Sequence, residues 1–106
     1  MITSSEASDF ALIAERLAVR VGNQEISVTR TQFRLLAVLT GEPRRAFRRA
    51  DLVDLAIGTV VTERTIDAHV RALRQKLGIF GQWIQTVQAV GYRWEPGASW
   101  QSPVAA

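Results

Sequence analysis

The sequence has no cysteine and a single histidine. Without cysteine there is no disulfide framework, no thiolate nucleophile and no cysteine-ligated zinc. His69 alone cannot assemble a metal site or a histidine-based catalytic relay. No apolar run approaches the ~18 residues of a membrane span, and the first ten residues, MITSSEASDF, lack a basic stretch followed by an apolar one. Glycine and proline are sparse, at 7 and 3 of 106 residues, which excludes collagen-like and low-complexity chains. With 47% hydrophobic residues, one ordinary globular domain remains. No phosphate loop, carboxylate pair or nucleophile–base arrangement is present, so the expectation is a non-enzyme with no catalytic residue, cofactor or metal. A cytoplasmic location follows as an expectation, with no membrane partner.

Charge of one sign is concentrated. Residues 1–28 set Arg16 and Arg20 against Glu6, Asp9, Glu15 and Glu25, whereas from residue 29 onward 11 basic residues face 6 acidic ones. The excess gathers in Arg44, Arg45, Arg48 and Arg49, and again in Arg64, Arg71, Arg74 and Lys76. Clustered arginine is the footprint of a polyanion binder, or simply a solvated surface. Placement decides between them.

Residues 1–9 are small and polar and read as a disordered lead-in or linker. Residues 10–96 form the folded domain, and 97–106 a flexible tail in which Trp100 docks locally or belongs to a tag. Leu17, Val19 and Val21 alternate with Arg16, Ala18 and Arg20, a strand with one buried face. Gly22-Asn23 turns it into a second strand through Ile26 and Val28, and Phe10–Ile13 supplies a further strand. Thr29 and Gln32 have capping-box spacing. The helix they open places Phe33, Leu36, Ala37 and Thr40, with Leu35 and Leu39, on its inner side. Gly41 is expected to take a left-handed cap there, with Pro43 beyond. A shorter helix over 49–57 buries Leu52, Val53 and Ala56 and stops at Gly58.

A third helix, over about 63–77, carries the functional signal, with Thr62 as its expected N-cap. With Ile66 as origin, Val70, Leu73 and Leu77 fall within about 40° of it, one narrow apolar stripe. Arg64, Ala68, Arg71 and Gln75 lie at about 140–200°, on the opposite side. Arg74 and Asp67 sit on one shoulder. A rod about 10–12 Å across matches a major groove about 12 Å wide. Arginine also has the fork that pairs with guanine O6 and N7 or grips phosphate. Strand pattern returns over about 83–95: Trp83, Ile84, Thr86 and Val87 in one arm, Tyr92, Arg93 and Trp94 in the other. That hairpin either reaches nucleic acid or only closes the core.

Four ordered segments resemble the winged-helix effector domain of OmpR/PhoB-type response regulators. Val28-Thr29-Arg30-Thr31-Gln32-Phe33-Arg34-Leu35-Leu36 is similar to the family's Leu-Thr-x-Thr-Glu-Phe-x-Leu-Leu. Arg49 to Gly58 follows its Arg-x-x-Leu-x-x-x-x-Trp-Gly segment. Arg64-Thr65-Ile66-Asp67-Ala68-His69-Val70-Arg71-Ala72-Leu73-Arg74-Gln75-Lys76-Leu77 follows Arg-Thr-Val-Asp-x-His-Ile-x-x-Leu-Arg-x-Lys-Leu. Ile84 to Trp94 resembles the wing, Ile-x-Thr-Val-Arg-Gly-x-Gly-Tyr-Arg-Phe. The resemblance covers residues 10–95.

It implies an α+β winged helix-turn-helix: an N-terminal antiparallel sheet, a three-helix core and a C-terminal β-hairpin wing. It also implies a transcriptional output domain binding double-stranded DNA, often behind a phosphorylatable receiver domain. No receiver lies in these 106 residues, so the expectation is a C-terminal fragment or a stand-alone regulator, and the polar lead-in favours the fragment. Head-to-tail pairing on direct repeats and a contact with RNA polymerase through the loop before the third helix are further implications.

The expected DNA-binding residues are Arg64, Thr65, Ala68, His69, Arg71, Ala72, Arg74, Gln75, Thr86, Gln88 and Arg93. Arg71 points straight away from the apolar stripe. Arg64 and Thr65 meet phosphate at the helix start, where dipole and free amides favour an anion, or Arg64 pairs with Glu63 or Asp67. Arg74 grips phosphate likewise, while an Asp67–Arg71 ion pair competes for Arg71. Ala68 meets a thymine methyl or makes room. His69, at the edge of the stripe, hydrogen-bonds between helices, touches DNA or senses pH. Thr86 serves the wing or a neighbouring strand, and Arg44, Arg45, Arg48 and Arg49 meet flanking phosphate or stay solvated. Four features depart from the family pattern. Ala72 replaces a second arginine, Gln88 a wing arginine and Ala89 a wing glycine, and the loop Thr59–Thr62 is about two residues short. An alternative is therefore a degenerate module for protein–protein contact, by polymerase docking or dimerisation, without specific DNA binding.

Overall fold

The computed structural model describes residues 10–58 and 61–97. The expectations for 1–9, for Thr59 and Val60, and for the tail from residue 98, Trp100 included, lie outside the described residues.

β1 (Phe10–Ile13), β2 (Ala18–Val21) and β3 (Gln24–Ser27) form an antiparallel sheet in that order, with Phe10 opposite Val21 and Val19 opposite Ile26. Gly22, at φ +61°, turns β2 into β3. Leu17 is not part of the alternation: it sits at φ +47° and closes a short 3-10 turn, its amide donating to the Ala14 carbonyl. The buried side of β2 begins one residue later, with Ala18 and Val19 both in the core.

α1 (Arg30–Gly41) opens on the complete capping box. The Gln32 amide donates to Thr29 Oγ1 at 3.1 Å and the Thr29 amide to Gln32 Oε1 at 2.9 Å, satisfying two donors that a helix start leaves open. Leu35, Leu36, Leu39 and Thr40 are buried; Ala37, expected inside, is exposed because the core stripe runs along the 32–35–36–39 side. Gly41 is helical and takes no left-handed cap. The chain leaves through Glu42, at φ −136° and ψ 77°, and the positive φ (+70°) falls on Arg44.

β4 (Phe47–Arg48), too short for a periodicity signal, leads into α2 (Arg49–Leu52). The helix continues as a π turn over Val53–Ile57, closed when the Gly58 amide reaches the Val53 carbonyl at 2.8 Å. Gly58 takes the left-handed stop at φ +80°. α3 (Arg64–Leu77) follows, then a 3-10 stretch over Gly78–Trp83, which takes Trp83 out of the expected strand. β5 (Ile84–Val87) and β6 (Gly91–Trp94) make the hairpin, and β4 adds to its far edge in the order β4-β6-β5. Gly91 has to be glycine, because a Cβ there would collide with the Phe47 carbonyl oxygen of the paired strand.

One core joins the layers. Leu35, Leu36 and Leu39 of α1, Leu52 of α2 and Ile66, Val70, Leu73 and Leu77 of α3 pack with Val19, Phe47, Ile84 and Trp94. An aromatic group ties the N-terminal sheet to the hairpin: Phe10 lies 5.0 Å from Trp94, Trp83 5.5 Å from Trp94, and Phe80 4.8 Å from Trp83, ring centre to ring centre. Lys76 adds a polar strap, its Nζ donating to Gln32 Oε1 at 2.9 Å and to the Ser27 carbonyl at 3.3 Å.

Candidate nucleic-acid interface

The opposition of faces on α3 is physical. Ile66, Val70, Leu73 and Leu77 are at most 1% exposed, and they hold the helix by one side. Arg64, Ala68, Arg71 and Gln75 are all exposed, and Arg64, Ala68 and Arg71 line one shallow depression with Asp67. Neither Arg64 nor Arg71 makes an ion pair or hydrogen bond with a described residue. Their guanidinium groups therefore stand in water with all donors available. Of the expected rivals, Glu63 or Asp67 for Arg64 and Asp67 for Arg71, none forms an ion pair among the described residues, although the Arg64 charge helps to lower the Asp67 carboxyl.

The start of α3 differs from expectation. Thr62 is not the cap: Glu63 occupies that position in helical geometry, with no side-chain bond. The first amides are met instead by tight backbone bonds, Thr65 to the Thr62 carbonyl and Ile66 to the Glu63 carbonyl, both at 3.0 Å. Thr65 is half-buried, its hydroxyl 3.5 Å from that of Thr62. His69 and Ala72 are half-buried on the other shoulder, and His69 makes no hydrogen bond with a described residue. The interhelical bond expected of it is absent among the described residues.

Arg74, on the shoulder of α3 and expected to grip phosphate, is engaged by the hairpin. Its Nε and Nη2 both donate to the Ile84 carbonyl, at 3.0 and 2.7 Å, and Nη2 also reaches Thr86 Oγ1 at 3.0 Å. The same contact occupies Thr86. Asp67 is also turned inward: its Oδ1 accepts from Tyr92 Oη at 2.6 Å and from Arg49 Nε at 2.8 Å. These bonds, with Tyr92 first and Arg49 second, hold the Asp67 carboxyl below its ordinary value. Burial, then the adjoining carboxylate, pushes the Tyr92 phenol up. On the hairpin, Arg93 is half-buried, with Nη2 at 3.2 Å from Gln85 Oε1 and Nε at 3.5 Å from Glu95. Gln88 is exposed at the tip beside Ala89, which holds φ +64°.

The second arginine cluster is internally matched. Arg44 faces Glu95 at 3.3 Å, Arg45 Glu42 at 2.8 Å, Arg48 Asp51 at 3.0 Å and Arg49 Asp67 at 2.8 Å. Such exposed pairs add little stability, yet each sets a carboxylate beside one arginine of the cluster. Sequence reading missed the Asp67–Tyr92–Arg49 group because its members stand 18 and 25 residues apart. A tyrosine placed opposite Thr86 in a hairpin was the only trace of it.

An anchored helix with an outward arginine face, preceded by two shorter helices and followed by a β-hairpin, defines a winged helix-turn-helix domain. Residues 23–94 match the family described as "Transcriptional regulatory protein, C terminal". The chain belongs to that family, as a DNA-binding effector domain of the OmpR/PhoB type. The transcriptional regulatory protein BaeR of Escherichia coli O6:H1 is 41% identical over 78 residues, covering 69% of this chain and 32% of that protein. The phosphate regulon regulator PhoB of Escherichia coli K12 is 35% identical over 79 residues, 71% of this chain and 34% of its own. This chain thus spans about a third of the length of these curated relatives. Among solved structures, the response regulator AdeR DNA-binding domain, in complex with an intercistronic region, aligns with TM-score 0.75 at 26% identity, covering 85% and 97% of the two chains. The DNA-binding domain of Bacillus subtilis CssR aligns with TM-score 0.72 at 25% identity, covering 80% and 98%. No helix among the described residues is long and apolar enough to cross a membrane.

Proposed function

We propose that this domain regulates transcription in the cytoplasm by seating α3 in the major groove of double-stranded DNA and resting its hairpin on the adjoining backbone or minor groove. The observation that carries the reading is the pair of exposed guanidinium groups, Arg64 and Arg71, opposite a stripe at most 1% exposed. Arg71 reads a base edge or grips phosphate, Arg64 and Thr65 hold phosphate near the helix start, and Ala68 and Gln75 complete the groove-facing line. His69 and Ala72 border that line. Gln88 is the hairpin-tip contact, and Arg93 stands behind it. Arg74 and Thr86 serve by shaping the hairpin. The internally matched arginines at 44, 45, 48 and 49 fit flanking phosphate only by exchanging a carboxylate partner for it.

A receiver domain in a longer protein accords with a chain that matches about a third of its relatives' length; head-to-tail pairing on direct repeats belongs to the same reading. Contact with RNA polymerase is supported by Leu55 and Val61, 57% and 36% exposed beside the connection from α2 to α3. Selection of bound duplexes from random DNA tests binding, sequence preference and repeat spacing together. Recovery of no enriched sequence, with no retarded complex, overturns the proposal. On the selected duplex, Arg71→Ala is expected to weaken binding by about 1–3 kcal/mol; unchanged affinity removes Arg71 from the interface.

A further inference from the structure

α3 has a third line of side chains, distinct from its buried stripe and its outward face. Asp67 and Arg74 are seven residues apart, so they stand within about 20° of one another on the helix circumference and about 10.5 Å apart along its axis. Each grips a different strand of the hairpin. Asp67 accepts from the Tyr92 hydroxyl on β6, and Arg74 donates to the Ile84 carbonyl and the Thr86 hydroxyl on β5. Thr86 and Tyr92 are cross-strand partners, so the two grips close on one rung of the ladder. The Tyr92 ring lies between two cations, the Arg49 guanidinium 5.4 Å and the Arg74 guanidinium 5.5 Å from its centre. Arg49 also donates to Asp67, which brings the start of α2 into the same junction. The hairpin's base is already seated in the core through Ile84 and Trp94, so the two attachment points set the bearing of the part that projects beyond it.

We propose that Asp67 and Arg74 are positioning residues that fix the bearing of the hairpin on α3, and so set the register between the DNA contacted by the helix and the DNA contacted by the wing. This rests on the DNA-binding reading for its consequence on DNA, but not for the angle itself. Arg74 is well suited to the task because its fork takes two acceptors at once, which a lysine ammonium at the same place would not hold in one plane.

The test uses the whole 106-residue chain, with Tyr92→Phe, Asp67→Asn and their double variant, and Arg74→Lys as a charge-preserving change. In the DNA-free protein, 15N relaxation of residues 85–91 is expected to show increased mobility in every variant, with α3 amides unmoved. The double variant should exceed neither single by much, since both act on the one Tyr92–Asp67 bond, Tyr92→Phe by removing its donor and Asp67→Asn by removing the charge on its acceptor. On a selected duplex, hydroxyl-radical protection on the wing side should fade in Tyr92→Phe and Arg74→Lys while protection under α3 persists. Hairpin order and wing-side protection unchanged in folded variants would overturn the proposal. If no variant and no parent protects any duplex, the DNA-binding reading fails, and the relaxation data alone still decide whether the junction holds the hairpin. Should Asp67→Asn fail to fold, Tyr92→Phe carries the same comparison, since it removes only the hydroxyl.

Discussion

Ala89 holds a backbone conformation that its Cβ resists. At φ +64° it occupies the left-handed region, which costs a non-glycine residue about 1–2 kcal/mol. Its exposed position leaves room for relief without loss of packing. Ala89→Gly is expected to stabilise the domain by about 1 kcal/mol, a rise of about 4–8 °C in the unfolding midpoint, measured by circular dichroism. Asp67 and Tyr92 make opposite predictions about pH. The Asp67 carboxyl is depressed by Tyr92 and Arg49, so its contribution is present above the ordinary carboxylate value of about 3.9 and lost as pH falls through the lower folded value. Urea midpoints should fall below about pH 4, and less steeply in Asp67→Asn. The Tyr92 phenol is raised, so its contribution is present below about pH 10 and lost as pH climbs through the higher folded value. Tyr92→Phe should flatten that alkaline limb.

At the scale of elements, helix ends divide into those held by side chains and those held by backbone. α1 begins with a reciprocal pair, Thr29 and Gln32, and Lys76 from α3 donates to the same Gln32 Oε1. Thr29→Ala should therefore cost about 1 kcal/mol in denaturant unfolding, the usual loss for a capping side chain. A loss near zero would mean that Lys76 alone keeps Gln32 in place. α3 has no such cap, and its first amides bond to Thr62 and Glu63 carbonyls. Its stability comes from the face it buries, as is usual for helices in proteins. That leaves its outer side without structural duties, which is the condition for a binding surface.

For the molecule as a whole, net charge is a poor guide to where a polyanion would sit. Four arginines of the turn and α2 region are matched by Glu95, Glu42, Asp51 and Asp67, while Arg64 and Arg71 are not. Affinity for duplex DNA should still fall with salt. For about five phosphate contacts, log K against log salt is expected to have slope near −4.5 in a fluorescence titration. A slope of zero would exclude an electrostatic interface, and Arg71→Ala should reduce it by about 1 if that residue meets phosphate.

Local signals carried much of this architecture. The 3.6-residue spacing of Ile66, Val70, Leu73 and Leu77, the Thr29–Gln32 cap and the Gly58 stop each depend on neighbours within a turn or two, so they are legible in the sequence itself. The outward placement of Arg64, Ala68, Arg71 and Gln75 followed from the same periodicity. What only tertiary structure decided involves partners far apart in the chain. β4 pairs across more than forty residues with β6, Arg74 spends its fork on β5, and Asp67 gathers Tyr92 and Arg49. An arginine's fate is set by which acceptor comes within about 3 Å, and a sequence specifies that distance only through the fold.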